Sequence, residues 1–229
     1  FSAFQSTFLP INEPNANSEY ILDSGDILTL QLVGQINETY NRKILRNGAI
    51  NIPEVGDINL AGLSISEATE ITKNLISNTF IGVDTYLSLA ELRDMNVMIV
   101  GNVPNPGMYT LGGGSSALAL IRAAGGIDDV GSYRNIIHKR DGQILHDIDL
   151  YSIFIDGDIS KLSQLRSGDA VIVKPSLLEV QISGGDANPA IYELRPNEKL
   201  SNLLEYSGYY KNQDTQLMHL SRRNLKGEY

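Results

Sequence analysis

The chain is expected to be α+β: a small mixed-sheet domain followed by tandem β-grasp-like domains, the last of them incomplete. Three observations predict this. First, a fifteen-residue phrase is written twice, 83 residues apart: Val97–Leu111 aligns without a gap on Val180–Leu194, with Val, Ile, Gly, Asn, Pro, Tyr and Leu recurring in place. The register persists, because Leu120-Ile121 matches Leu203-Leu204, Gly125 matches Gly208, and Lys139-Arg140 matches Arg222-Arg223. A constant offset over such a length means tandem copies of one domain, and a period of roughly 80 residues suits a small globular domain. Second, each copy begins strand, strand, helix, then strands, the order of a sheet packed on one helix. Third, the stretch before the copies has its own alternating strands around a capped helix.

Residues 1–19 contain Phe1, Phe4, Phe8, Leu9, Pro10 and Pro14 without periodicity, and read as an extended arm. The first domain spans 20–93. Ile27–Val33 is a strand entered through the turn triplet Ser24-Gly25-Asp26, and Tyr40–Leu45 is a second. Arg46-Asn47-Gly48 is expected to close a hairpin onto Ala49–Ile52, with Pro53–Leu60 a further short strand or loop. Ser64-Ile65-Ser66-Glu67 is a capping box: the Ser64 hydroxyl accepts from the Glu67 N–H and the Glu67 carboxylate reaches back. Ala68, Ile71, Leu75 and Ile76 follow at helical spacing, and Val83–Leu89 alternates as a strand.

The second domain spans 94–178. It opens with strand Asn96–Val100, turns at Gly101–Gly107, and returns along Met108–Leu111. Ser115 or Ser116 caps a helix over Ala117–Ala124 that stops at Gly125-Gly126. Arg134–Lys139 and Ile144–Leu150 form a hairpin across Arg140-Asp141-Gly142. Leu165–Val173 closes the domain and echoes Leu22–Leu30, each carrying Ser-Gly-Asp. The third domain spans 179–229. By the offset of 83 its closing strand would fall at 248–256, so it is expected to leave an open sheet edge, to be filled by another chain or to be more mobile than 97–140.

Composition bounds the function. At 42% hydrophobic and 20% charged, the 229 residues belong to the folded class. A net charge of −9 argues against nucleic acid, and also against docking on anionic lipid. With no cysteine there is no disulfide, thiolate nucleophile or Cys-based zinc site. That, and a first residue other than Met, leans towards an exported protein that has lost a signal peptide. No apolar run approaches the length that spans a bilayer.

The first domain resembles the polysaccharide-export domain of the bacterial polysaccharide export family, in Tyr20–Asp26, Arg46-Asn-Gly48, Ile52-Pro-Glu-Val-Gly56 and Ala61–Ala68. The copies resemble that family's soluble-ligand-binding β-grasp (SLBB) repeats, marked by Gly101, Pro106-Gly107, Tyr109, Leu111 and Ala123-Ala-Gly-Gly126. Ala190 and Tyr209 replace Gly107 and Gly126 in the second copy. The resemblance implies structural roles for Gly25, Asp26, Gly48, Pro53, Gly56, Gly62, Glu67, Gly101, Pro106, Gly107, Tyr109, Gly125, Gly126, Gly168 and Asp169. It also implies a periplasmic, outer-membrane-associated, ring-forming conduit for capsule or exopolysaccharide, working with an inner-membrane co-polymerase and without a cofactor. Members are often anchored by a lipidated N-terminal Cys and a C-terminal helix.

Other features bear on chemistry. Gly112-Gly-Gly-Ser-Ser116 before a helix offers a phosphate cradle but lacks the P-loop ending, so a turn before a cap is the plainer reading. Asp128-Asp129 and Asp156-Gly-Asp158 lack EF-hand spacing and read as loop carboxylates. His138, His146 and His219 fall on strands; the first two meet across the predicted hairpin, with no third metal ligand in view. Lys139, Arg140, Arg222 and Arg223 are the candidate polysaccharide contacts, against a default of solvated hairpin ends. A non-enzymatic conduit is favoured. A monomeric carbohydrate-binding or adhesion module is the alternative, and a hydrolase or lyase would need a carboxylate pair that nothing singles out.

Overall fold

A computed structural model describes residues 18–182 and 189–208. The chain divides into two compact units, Phe1–Pro175 and Ser176–Tyr229. The first two predicted domains therefore share one unit, and no linker separates them. The strand Val83–Glu91 (β5) runs through Arg93 almost directly into Asp94–Gly101 (β6).

The first unit opens with β1 (Ile27–Gly34) and β2 (Glu38–Lys43), and β1 lies between β2 and β5 in an antiparallel three-stranded sheet. Leu28, Leu30 and Leu32 alternate inward, as period-2 patterning requires. The turn expected at Arg46-Asn47-Gly48 forms, with the Gly48 N–H donating to Leu45 O and the Leu45 N–H to Ala49 O, each at 2.9 Å, but the strand pairing expected beyond it does not. That turn leads to β3 (Ala49–Ile52), which pairs instead with β4 (Gly56–Asn59) in a separate two-stranded sheet. The reason is burial: β3 hides Ala49, Ile50 and Ile52, whereas β2 is mostly exposed, so β3 leaves the edge of β2 for the core. Helix α1 (Ile65–Thr79) packs on β5 through Ala68, Thr72 and Ile76.

Its capping box is complete. The Glu67 N–H donates to Ser64 Oγ at 3.2 Å, and the Ser64 N–H donates to Glu67 Oε2 at 2.8 Å. Those hydrogen bonds, the backbone one first, hold the Glu67 carboxyl below its ordinary value.

The rest of the first unit is one five-stranded sheet in the order β7-β6-β10-β8-β9. Its further strands are β7 (Gly107–Gly112), β8 (Gly131–Arg140), β9 (Gln143–Ile148) and β10 (Ala170–Pro175). The last strand enters the middle, parallel to β6 and antiparallel to β8. That is the β-grasp arrangement, and α2 (Ala117–Ala123) covers the buried face with Leu120 and Ile121. Ser116 stands at the cap of α2 without a side-chain cap bond, unlike Ser64. The Gly126 N–H donates to Ile121 O at 2.9 Å, which stops the helix as expected.

A helix the sequence reading missed, α3 (Leu150–Asp156), follows β9, which ends at Ile148 instead of Leu150. Asp149 caps it by accepting from the Tyr151 N–H at 2.9 Å, and Gly157 ends it in a left-handed conformation. Each domain keeps its own apolar cluster, one around Leu28, Leu30, Ile50 and Ile76, the other around Val97, Ile99, Leu120 and Val171. Each fully buried Leu or Ile contributes about 1.5–3 kcal/mol.

In the second unit β11 (Glu179–Ile182) pairs antiparallel with β12 (Ala190–Glu193), followed by α4 (Leu200–Tyr206). The offset of 83 is reproduced: Gly107 and Ala190 both open a strand, Val97↔Tyr109 and Val180↔Tyr192 are both cross-strand pairs, and α2 and α4 begin and end at equivalent positions. Among the described residues β11 pairs only with β12. The expectation for 180–223 as a whole lies partly outside them. No described helix is long and apolar enough to cross a membrane.

Candidate functional site

The two Ser-Gly-Asp phrases build the same turn. In the first, the Asp23 N–H donates to Asp26 Oδ2 at 2.9 Å and the Asp26 N–H returns to Asp23 O at 3.2 Å. In the second, the Arg166 N–H donates to Asp169 Oδ2 at 2.8 Å and the Asp169 N–H to Arg166 O at 3.0 Å. Gly25 (φ 105°) and Gly168 (φ 91°) take the left-handed backbone that lets each carboxylate fold back over its own turn.

What the carboxylates do next differs. Asp26 is fully buried. It accepts from Arg93 Nη1 at 2.8 Å, from the Arg93 N–H at 2.9 Å and from the Tyr20 hydroxyl at 3.0 Å. Arg93 Nη1 also donates to the Tyr20 oxygen at 2.8 Å. Burial first, then the Asp26 charge, pushes the Tyr20 phenol well above its ordinary value, with Arg93 pulling against them. The phenol therefore stays a donor.

This cluster sits where the two domains meet. The Gly113 N–H donates to Arg93 O at 2.7 Å, and a Cβ on Gly113 would collide with the Tyr20 hydroxyl. Gln164 Oε1 accepts from the Ile21 N–H at 3.3 Å. The glycine run weighed as a phosphate cradle is thus the socket for Tyr20, and glycine is needed there for space.

Asp169 instead holds β8. It accepts from Arg140 Nε and Nη2, each at 2.8 Å, and lies 2.8 Å from His138 Nε2. Burial raises the Asp169 carboxyl, but bonds from Arg140, the Arg166 N–H and His138 outweigh it and hold the group below the ordinary carboxylate range. His146 is opposite His138 across the β8–β9 hairpin, with ring centroids 5.8 Å apart. Burial, then His138, Arg140 and Lys161, lower the His146 pKa. A third buried pair, Arg134 Nη2 to Asp149 Oδ2 at 3.0 Å, ties β8 to the cap of α3.

The remaining sequence-marked residues take structural places. Gly48, Gly56, Gly62 and Gly125 sit at turns or element ends with positive φ, and Pro53 begins the β3–β4 turn. A Cβ on Gly101 would strike the O of Val173, its partner on β10. The Tyr109 hydroxyl donates to Asn105 O at 2.7 Å across the loop that carries Pro106. Gly107, expected in a turn, opens β7 paired with Ile99, and a Cβ there would meet nothing within 4 Å. Gly107 keeps a positive φ of 158°, whereas Ala190 opens β12 at the equivalent place without one.

Of the candidate polysaccharide contacts, Arg140 is spent on Asp169 and is 24% exposed, and Lys139 is half-buried. Arg222, Arg223 and His219 lie outside the described residues.

Comparison with known families follows this division. Residues 14–90 match the family described as polysaccharide biosynthesis/export protein, and residues 95–173 and 180–229 each match an SLBB domain. Two relatives, both polysialic acid transport protein KpsD of Escherichia coli, are 30% identical over 181 residues. The match covers 78% of this chain and 32% of each relative, so the chain spans about a third of their length.

Proposed function

This chain belongs to the polysaccharide biosynthesis/export family, and we propose that it is the periplasmic part of a non-enzymatic, outer-membrane-associated conduit for a capsular or exopolysaccharide. In the full-length protein, copies of it close into a homo-oligomeric ring that receives polymer from an inner-membrane co-polymerase. The observation that carries this reading is the locked junction at Asp26. A closed ring needs one fixed angle between successive subunits, and a hinge between the export domain and its first SLBB domain would spoil it. The Tyr20–Asp26–Arg93 cluster fixes the Arg93 connector with buried, bonded charge, and Arg93 O and the Tyr20 hydroxyl meet Gly113 of the SLBB domain. Asp149 and Asp169 are likewise bound to arginines. A conduit of this kind works by geometry, and its contacts with cargo must be weak enough to release it.

The test is the mass of the full-length protein in mild detergent. A closed oligomer of single stoichiometry is expected. A monomer would overturn the ring and support a carbohydrate-binding or adhesion module instead.

A further inference from the structure

We propose that the open face of the β2-β1-β5 sheet is a glycan-contact surface, one that binds sugar rings through hydroxyls and ring faces and not through charge. The proposal rests on the export reading for its choice of ligand, and on the sheet alone for its location.

β1 turns Leu28, Leu30 and Leu32 to the core, so Thr29 and Gln31 face outward. Register places Asn41 and Ser88 on either side of Thr29, and Thr39 and Tyr86 on either side of Gln31. These two adjacent rows cross all three strands without one ionisable carboxylate or amine. Five of the six side chains are exposed, Thr29 being half-buried, and Tyr86 is 59% exposed. Thr29 Oγ1 donates to Asn41 Oδ1 at 2.8 Å, which fixes the Asn41 amide with its N–H groups still available. Charges stand only at the margins: Lys43 and Glu91 beside Ile27, and Asp84 beside Val33.

Such a surface has the chemistry of a sugar ring in complement. Amides and hydroxyls supply paired donors and acceptors at the spacing of neighbouring strands. The Tyr86 ring offers a flat apolar face with a polar tip, against which the C–H face of a pyranose can lie. Charge favours the same place. The chain carries a net −9, and these rows add no carboxylate of their own to repel an acidic polymer. The outer face of the five-stranded sheet is unlike it. Met98 stands opposite Met108 there, next to Ala170, and Ile172 stands between Val100 and Ile137. That face also carries a polar pair, Asn96 and Thr110, but beside it stand this apolar run and the charges of Asp94 and Lys139, whereas the rows on β2-β1-β5 are polar and uncharged throughout. A shallow face with one aromatic ring binds weakly, as transit through a conduit requires.

The test titrates the intact, isotope-labelled chain with two probes, a polysialic acid oligomer and a neutral malto-oligosaccharide, followed by NMR. The side-chain amides of Gln31 and Asn41 and the ring of Tyr86 should shift with at least one probe, and high salt should not abolish the shifts. Tyr86→Ala should weaken binding roughly tenfold, while Met108→Ser on the other sheet leaves it unchanged. Silent spectra with both probes, shifts confined to Lys139 and its neighbours, or loss of binding in high salt would each overturn the proposal. Silent spectra alongside a closed oligomer of the full-length protein sink this site and leave the conduit standing. Shifts at Gln31 and Tyr86 alongside a monomer do the reverse.

Discussion

Asp26 and Asp169 end the same four-residue turn in two different neighbourhoods. Both carboxylates take the N–H of the residue three places before them, and both bind an arginine at 2.8 Å. Asp26 has buried partners, Arg93 and Tyr20, contributed from opposite ends of the export domain. Asp169 has one partner that reaches solvent, Arg140, and one that is fully buried, His138. A single local phrase thus makes a lock in one place and an ordinary strand brace in the other. The turn sets where the carboxylate points, and what surrounds it sets the consequence.

Removing each carboxylate should separate the two. Asp26→Ala leaves Arg93 buried without its counter-charge and should cost about 3–5 kcal/mol, read by urea unfolding. A loss below roughly 1 kcal/mol would mean that water reaches Arg93 and that the lock is no lock. Asp169→Ala should cost less, about 2–3 kcal/mol, because Arg140 can turn outward. An equal or larger loss would erase the contrast between the turns.

Acid sharpens the comparison. The Asp169 carboxyl is depressed in the folded state. Its contribution is therefore complete above the unfolded carboxylate value, about 3.9, and is lost as pH falls through the lower folded value. Asp169→Asn should flatten the stability curve over that acid range. An unchanged acid limb would rule out the ionised Asp169 as a stabilising group.

Gly113→Ala probes the socket from the other side. Its Cβ meets the Tyr20 hydroxyl, so a loss of about 1–3 kcal/mol is expected from overpacking, while Gly107→Ala meets no neighbour and loses only about 1 kcal/mol to its positive φ of 158°. Equal costs would place Tyr20 elsewhere. Ser64→Ala should have a comparably small effect, about 1 kcal/mol through the lost cap, and thermal melts that do not move would show that the capping box does not stabilise α1.

The repeat was legible because its marks are chemical. Glycines, the Asn-Pro pair and the tyrosine sit where backbone geometry needs them, so an offset counted in letters became an offset in strands and helices. Helix α3 was hidden because Leu150–Asp156 is rich in β-branched and aromatic residues that favour strands. Its two ends, Asp149 and Gly157, were the signals available. The turn at Arg46-Asn47-Gly48 closes as expected, because a turn is local, whereas the choice of partner for β3 depends on what it must bury and goes to β4.

The Asp26 lock could not be read directly, since Arg93 lies 67 residues away in sequence. The echo of Leu22–Leu30 in Leu165–Val173 marked the turn without showing its partners. The same limit applied to Arg140, a basic residue in sequence and a partner of Asp169 in space. It applied also to the sheet face, where outward Thr29 and Gln31 are visible in β1 but only the register brings Asn41, Ser88 and Tyr86 beside them.

The export domain and the first SLBB domain form one body because of the Asp26 cluster. Urea unfolding followed residue by residue tests it, with Leu30 and Ile50 reporting one core and Val97 and Leu120 the other. The wild-type chain should lose both cores at one midpoint, and Asp26→Ala should split them into two separate transitions. Two transitions already present in the wild type, or a single one that survives in Asp26→Ala, would contradict the claim.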